Sequence, residues 1–456
     1  MNKENKMGVM PVKKLIISMS LPMMISMLVQ ALYNVVDSIF VSNIVGETLN
    51  AGEDALTAVT LAFPMQNLMI ALGSGTGVGI NALLSRSLGE KKGDKANSAA
   101  NMGILLTFIN SLIFLFVGIF FASAFIKTQT DSTTIASYGS IYLRIISCCS
   151  IGLFFQMTFE RLLQSTGKTF YSMISQATGA IINIIFDPLL IFGIGPFPML
   201  GIAGAAYATI LGQFIGASIG LFCNIRFNKE IHLSFTDVIK PVFSTIKEIL
   251  YVGIPSILMM SIGSVMTYMI NLILGMFSST ATAVFGVYFK LQSFFFMPVF
   301  GLNNGLIPVL AYNYGAKYKN RIKDSLRFAI ILAVSIMLTG TIVFQLFPTA
   351  LLGLFNSSPE MKAIGIPALR IISLSFPIAG LCIAMGSVFQ AFSKGVYSLA
   401  VSVGRQLIVL IPAAWLLAQI GNLNLVWFAF PIAEIASLTI SVFLFRKLYK
   451  STIATL

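Results

Sequence analysis

Only 10% of the 456 residues are charged while 57% are apolar, whereas a water-soluble globule carries roughly 25% charged residues. A soluble globule is excluded. The single histidine, His232, falls in a basic connection with no acidic or cysteine partner pattern. The four cysteines, Cys148, Cys149, Cys223 and Cys382, match neither a metal-ligand spacing nor a disulfide framework. No cofactor is expected, and no metal beyond a bound sodium ion. The chain also lacks a Gly-x-x-x-x-Gly-Lys-Ser/Thr loop, so ATP is not the direct energy source. Without the Gly-x-Gly-Asp sequence of intramembrane aspartyl proteases, no enzymatic activity is expected either.

What is present is apolar length. Twelve apolar segments run between residues 15 and 446, each long enough for the roughly 20 residues that cross a bilayer core. The fourth is read as one span over 134–160 and the tenth as one span over 363–391. The fold class is an all-α polytopic membrane protein. The net charge of +13 would suggest nucleic acid in a soluble protein, but its placement argues otherwise. Basic residues fill alternate connections: Lys3, Lys6, Lys13 and Lys14, then Arg86, Lys91, Lys92 and Lys95, then Arg161 and Lys168, then Arg226, Lys229, Lys240 and Lys247, then Lys317, Lys319, Arg321, Lys323 and Arg327, then Lys394, then Arg446, Lys447 and Lys450. Lys127 and Lys362 lie on the other side. The positive-inside rule predicts both termini in the cytoplasm, with lipid and not nucleic acid as the macromolecular surroundings.

Self-comparison reveals a duplication. Gln66, Gly75, Gly79 and Gly89 align with Gln292, Gly301, Gly305 and Gly315, and Leu143-Arg144-Ile145-Ile146-Ser147 aligns with Leu369-Arg370-Ile371-Ile372-Ser373. Pro22 aligns with Pro255 at a slightly larger offset, because the first half has a longer outer connection from Gly46 to Asp54. The predicted organisation is a first six-span lobe over residues 1–226, a cytoplasmic linker over 227–243, and a second six-span lobe over 244–456. An even number of spans per half relates the lobes by a pseudo-two-fold axis along the membrane normal, as in transporters that alternate access around a central cavity.

The stretch Asn183-Ile184-Ile185-Phe186-Asp187-Pro188 places an amide and a carboxylate one helical turn apart inside a spanning segment. Pro188 leaves the carbonyl of Ile184 without its helical donor. Ionisable groups at such depth mark ion paths by default. Asp37 lies about 33 Å beyond Leu15, and Asp187 about 29 Å beyond Lys168, so both reach the outer half of the membrane. The Gly- and Ala-rich start of the sixth span brings Thr209 to the same level. Two carboxylates, an amide, a hydroxyl and a carbonyl make an oxygen-only cage suited to sodium or to a shared proton. Neither Asn183 nor Asp187 is repeated, for they align with Val409 and Ala413. Gln30, Tyr33 and Asn34 share the Asp37 face of the first helix and are candidate cavity residues. Arg405 and Glu434 could form a buried ion pair; Arg144 and Arg370 read as structural; Lys290, Glu160 and Arg161 have no assigned role.

At these residues the chain resembles the multidrug and toxic compound extrusion (MATE) family, and within it the bacterial branch that includes MepA-type exporters. The carriers of the resemblance are Leu21-Pro22 followed by Asp37, Ser87-Leu88-Gly89-Glu90-Lys91-Lys92, the Asn183 to Pro188 stretch, and Gly204-Ala205-Ala206 to Thr209. The resemblance implies export of cationic amphipathic drugs in exchange for sodium ions or protons, by a monomer in the bacterial inner membrane. It also implies a cation site formed by Asp37, Asn183, Asp187, Thr209 and the carbonyl of Ala205, with Pro22 as the hinge of the first helix. The runner-up is a flippase for a lipid-linked precursor, which should line its cavity with basic residues.

Overall fold

The computed structural model describes residues 5–44, 51–355 and 358–456. Lys3 and residues 46–50 of the first outer connection lie outside them. Fourteen helices carry the architecture among the described residues: α1 (Val12–Ser42), α2 (Ala51–Gly89), α3 (Gly93–Phe120), α4 (Thr133–Cys148), α5 (Ile151–Ser165), α6 (Thr169–Phe192), α7 (Ile202–Phe227), α8 (Phe243–Gly275), α9 (Ser279–Gly315), α10 (Lys319–Leu346), α11 (Pro359–Ser373), α12 (Phe376–Ala391), α13 (Gly395–Ala418) and α14 (Leu423–Ile453). Ten are long and apolar enough to cross a membrane by themselves. The pairs α4–α5 and α11–α12 are bent by 47° and 46°, and counting each pair as one span brings the total to 12.

The two bent pairs fall within the spans read over 134–160 and 363–391 and add a bend to each. Both breaks follow the repeated Leu-Arg-Ile-Ile-Ser motif, at residues 149–150 and 374–375. A break leaves carbonyls without helical donors, and buried ones need new partners. At the second break α10 supplies them: Thr341 Oγ1 donates to the Ser373 carbonyl at 2.8 Å and Gln345 Nε2 to the Arg370 carbonyl at 2.6 Å. Arg144 Nη2 reaches the carbonyl of Ile119 on α3 at 3.4 Å.

The chain divides into two compact units that do not follow the sequence halves residue for residue. One comprises the residues up to Met24, Gly89–Lys91 and Ile254–Leu456; the other comprises Ile25–Leu88 and Lys92–Gly253. The helices α1 and α8 each run unbroken through a proline, Pro22 and Pro255, and each changes unit within two residues of it.

Repeated glycines seat the exchanged segments. In the first unit a Cβ at Gly301 would lie 2.6 Å from the Met24 backbone, and one at Gly305 would lie 2.7 Å from Ser20 Oγ. Ser20 also donates to the Leu302 carbonyl at 3.4 Å. In the second unit a Cβ at Gly79 would fall on the carbonyl oxygen of Ile249, and one at Gly253 would come within 3.2 Å of the Gly75 carbonyl. Each repeat therefore uses its second helix, through the same glycine pair, as the bed for the other repeat's first helix.

Overpacking of this kind costs about 1–3 kcal/mol. Gly79→Val should lower the apparent melting temperature of the purified protein, whereas Gly386→Ala, where an added Cβ meets nothing within 4 Å, should leave it unchanged or raise it. Equal melting temperatures for Gly79→Val and wild type would contradict the seating.

Candidate functional site

Close helix packing builds the site. A Cβ at Gly212 of α7 would lie 2.5 Å from the carbonyl of Gly179 on α6, and one at Gly204 would collide with the Leu190 carbonyl. Contact along two small-residue positions holds the helices backbone to backbone, which places Asn183 and Asp187 of α6 opposite Thr209 of α7. Asp187 is fully buried, Asn183 and Thr209 nearly so. The amide of Asn183, oriented so that each end meets a complementary group, donates to Asp187 Oδ2 at 3.0 Å. Its oxygen then accepts from the Thr209 N–H and Oγ1, each at 3.1 Å. That N–H is the one a regular helix directs at the carbonyl of Ala205, so sharing it leaves the Ala205 oxygen spare accepting capacity. Ala205 is fully buried, in a cluster with Ile191, Ile202, Ala206 and Tyr142.

Asp37 of α1 joins this group from within the same unit. Its carboxyl lies in electrostatic range of that of Asp187, and its Oδ1 is buried with no hydrogen-bond partner. Two full negative charges 4 Å apart repel by about 4 kcal/mol at an effective dielectric of 20. A proton or small cation between them relieves that repulsion and partners the orphan oxygen. The donor set is oxygen-only, which suits a hard cation and not a soft metal.

The remaining members of the α1 stripe divide. Gln30 Oε1 accepts from Gln176 Nε2 of α6 at 2.9 Å, and Tyr33 lies in electrostatic range of both carboxylates. Asn34 is exposed, so it shares the sequence stripe but not the polar cluster. Two participants escaped the sequence reading: Tyr142 of α4 lies in range of Asp37, Tyr33 and Asp187, and Gln66 of α2 donates to the Tyr142 hydroxyl at 3.1 Å. Gln66 stood out only as a marker of the repeat.

The MatE family model matches residues 22–189 and again 255–416. The chain belongs to the MatE family. The double match covers each repeat of this MatE chain from its proline, Pro22 or Pro255, onward. Among the curated relatives, the multidrug export protein MepA of Staphylococcus haemolyticus is 28% identical over 439 residues, 95% of this chain and 93% of its own length. An FAD transporter of Shewanella oneidensis is 25% identical, over 93% of this chain and 92% of its own. Among solved structures, an outward-facing conformation of a multidrug resistance MATE family transporter of the MOP superfamily superposes with a TM-score of 0.91, covering 100% of this chain and 99% of the other, at 24% identity. The fold is thereby shown: an all-α MATE transporter body with up to 12 spans.

The other polar residues of this MatE chain find partners away from the acidic pair. Arg405 Nη1 contacts Glu434 Oε1 at 2.6 Å, with Glu434 buried and its Oε2 unpartnered. Arg405 sits in a π-helical stretch, Gly404–Leu410, a distortion frequent at sites under special constraint. Lys290 stands 6.0 Å over the Phe355 ring. Glu160 accepts from Gln156 Nε2 at 3.1 Å, and Arg161 donates to Gln164 at 3.0 Å and to Ser74 at 3.3 Å. Gly77 makes room for the last of these, since a Cβ there would lie 2.7 Å from Arg161 Cγ.

Removing one partner of a buried ion pair strands a charge, and removing both does not. Arg405→Met or Glu434→Met alone should cost about 2–4 kcal/mol, judged by thermal melting, and the double substitution should recover most of it. Additive losses in the double variant would show that the two side chains do not stabilise each other.

Proposed function

We propose that this chain is a secondary active antiporter that exports cationic amphipathic compounds in exchange for sodium ions or protons. The observation that carries this reading is the cluster of buried Asp187, Asn183 and Thr209 with half-buried Asp37, whose Oδ1 is buried and unpartnered. Substrate enters a cavity open to the cytoplasm, and the proposed lobes, residues 1–226 and 244–456, then rock outward. An inward-moving cation then binds the acidic pair from the outside and favours substrate release. By linkage, substrate binding must weaken cation binding by the same factor. Pro22 lets α1 bend, so that Asp37 can approach or leave Asp187 as the cation comes and goes. Gln30 and Tyr33 extend the polar lining toward the substrate.

The multidrug export activity named for the MepA relative supports the substrate class, and the basic connections support a bacterial cell membrane with both termini inside. The FAD transporter in the same family is a reminder that the scaffold carries other cargo. A flippase for a lipid-linked precursor would call for a basic cavity, and the acidic pair gives that reading no support.

Asp37→Asn and Asp187→Asn keep side-chain size and remove charge. In proteoliposomes with sodium and pH gradients imposed separately, each variant should lose at least about tenfold of gradient-driven efflux, equivalent to 1.4 kcal/mol of coupling, while melting near the wild-type temperature. Efflux at wild-type rates from both variants would remove the basis for the reading.

A further inference from the structure

The connection 227–243 reads in the sequence as a polar, basic linker, yet beside its exposed polar side chains it turns three large apolar ones outward. Phe235 is 80% exposed, Ile239 61% and Phe243 77%. Phe235 and Ile239 are one turn apart over the short helix Phe235–Val238, and Phe243 opens α8. A patch of large exposed apolar side chains on one segment marks an interaction surface.

Hydrogen bonds fix where that surface lies. The N–H of His232 donates to Asn97 Oδ1 at 2.7 Å and the N–H of Ser234 to Asn101 Oδ1 at 3.0 Å, while Asn101 Nδ2 donates to the His232 carbonyl at 3.2 Å. Ile231 and Leu233 pack into the core formed by Ala96, Ala99 and Ala100. The Val242 N–H lies 3.1 Å from the Met102 sulfur. All these partners belong to α3, whose polar end is Gly93-Asp94-Lys95. At 1.5 Å per residue, Asn97 to Met102 stand about 6 to 14 Å along the helix from Gly93. Two asparagines one turn apart on a spanning helix thus act as surrogate backbone partners for a loop strapped along that helix. Such a position lies at the boundary of headgroups and acyl chains, not in open water.

The charge around the strap is mostly basic. Arg226, Lys229, Lys240 and Lys247 are exposed beside it. The nearby acids are Glu248, engaged by Lys95 at 2.8 Å, Glu230 and the exposed Asp237, three against four cations and the exposed His232. An apolar edge beneath a basic rim matches an interfacial anchor on acidic lipid.

We propose that residues 227–243 form an in-plane membrane anchor. Phe235, Ile239 and Phe243 enter the acyl edge of the leaflet next to the basic connections, and Arg226, Lys229, Lys240 and Lys247 hold acidic phospholipid headgroups.

The test places a reporter on the strap of the full chain in lipid nanodiscs. Phe235→Trp, and separately Ile239→Trp in case the first fails to fold, add fluorescence that is read as the difference from wild type. The added tryptophan should be quenched by lipid brominated near the headgroup and shielded from aqueous iodide. Brominated phosphatidylglycerol should quench at least about twofold more than brominated phosphatidylcholine, a preference that a Lys229→Gln, Lys240→Gln, Lys247→Gln variant should lose. Quenching by iodide without quenching by brominated lipid, as for a strap in water or one reserved for a protein partner, would overturn the anchor. Equal quenching by the two brominated lipids would overturn the acidic-headgroup assignment.

Discussion

The arrangement depends on the hydrogen bond between the Asn183 amide and the Asp187 carboxyl, made where water does not compete. A carboxyl at this depth is costly unless it is partnered. The partner comes from one turn earlier on the same helix and is held in turn by Thr209 across a glycine-lined contact. Because α6 and α7 touch through Gly179, Gly204 and Gly212, neither side chain can swing aside without separating two backbones. That packing holds one carboxyl, and the proposed antiport assigns the movement to the other, Asp37 on the proline-bearing α1.

Duplication supplies the scaffold, and departures from it supply the chemistry. Asn183 and Asp187 have Val409 and Ala413 as their counterparts, so the second half cannot build the same pocket. It carries instead a fixed pair on the equivalent helices: Arg405 aligns with Gly179, one turn before Asn183, and Glu434 with Ala208, next to Thr209. Where the first half offers two acids to an exchangeable cation, the second tethers its own cation beside its acid. In the second half the acid is balanced by a tethered guanidinium; in the first, the proposed balance is a cation that can leave.

Much of the site was legible in the sequence because helical spacing reports faces. Asn183, Asp187 and Thr209 follow from counting turns along segments whose ends are marked by basic residues, and the pairing with Asp37 follows from equal depth. What escaped depends on which helices touch. Gln66 and Tyr142 come from α2 and α4, and nothing in their local sequence says that these faces meet beside Asp37. Asn34 shares the stripe of Gln30, Tyr33 and Asp37 and is exposed, whereas spacing alone does not say how wide the buried arc is. The breaks at 149–150 and 374–375 were hidden for a different reason: their apolar runs continue across the bend, and at the second the signal lies in Thr341 and Gln345, on another helix. The glycines repeated at 75, 79, 301 and 305 were visible as a pattern, but their use as seats for exchanged segments needed the packing.

The most direct measurement is ion release on substrate binding. A permanent organic cation such as tetraphenylphosphonium is titrated into the purified protein while proton and sodium activities are followed in lightly buffered solution. An acidic pair that exchanges its occupant requires about one equivalent of proton or sodium to appear per bound substrate, with the release abolished in Asp187→Asn. Stoichiometric substrate binding with no cation released, or release unchanged by Asp187→Asn, would contradict the coupling.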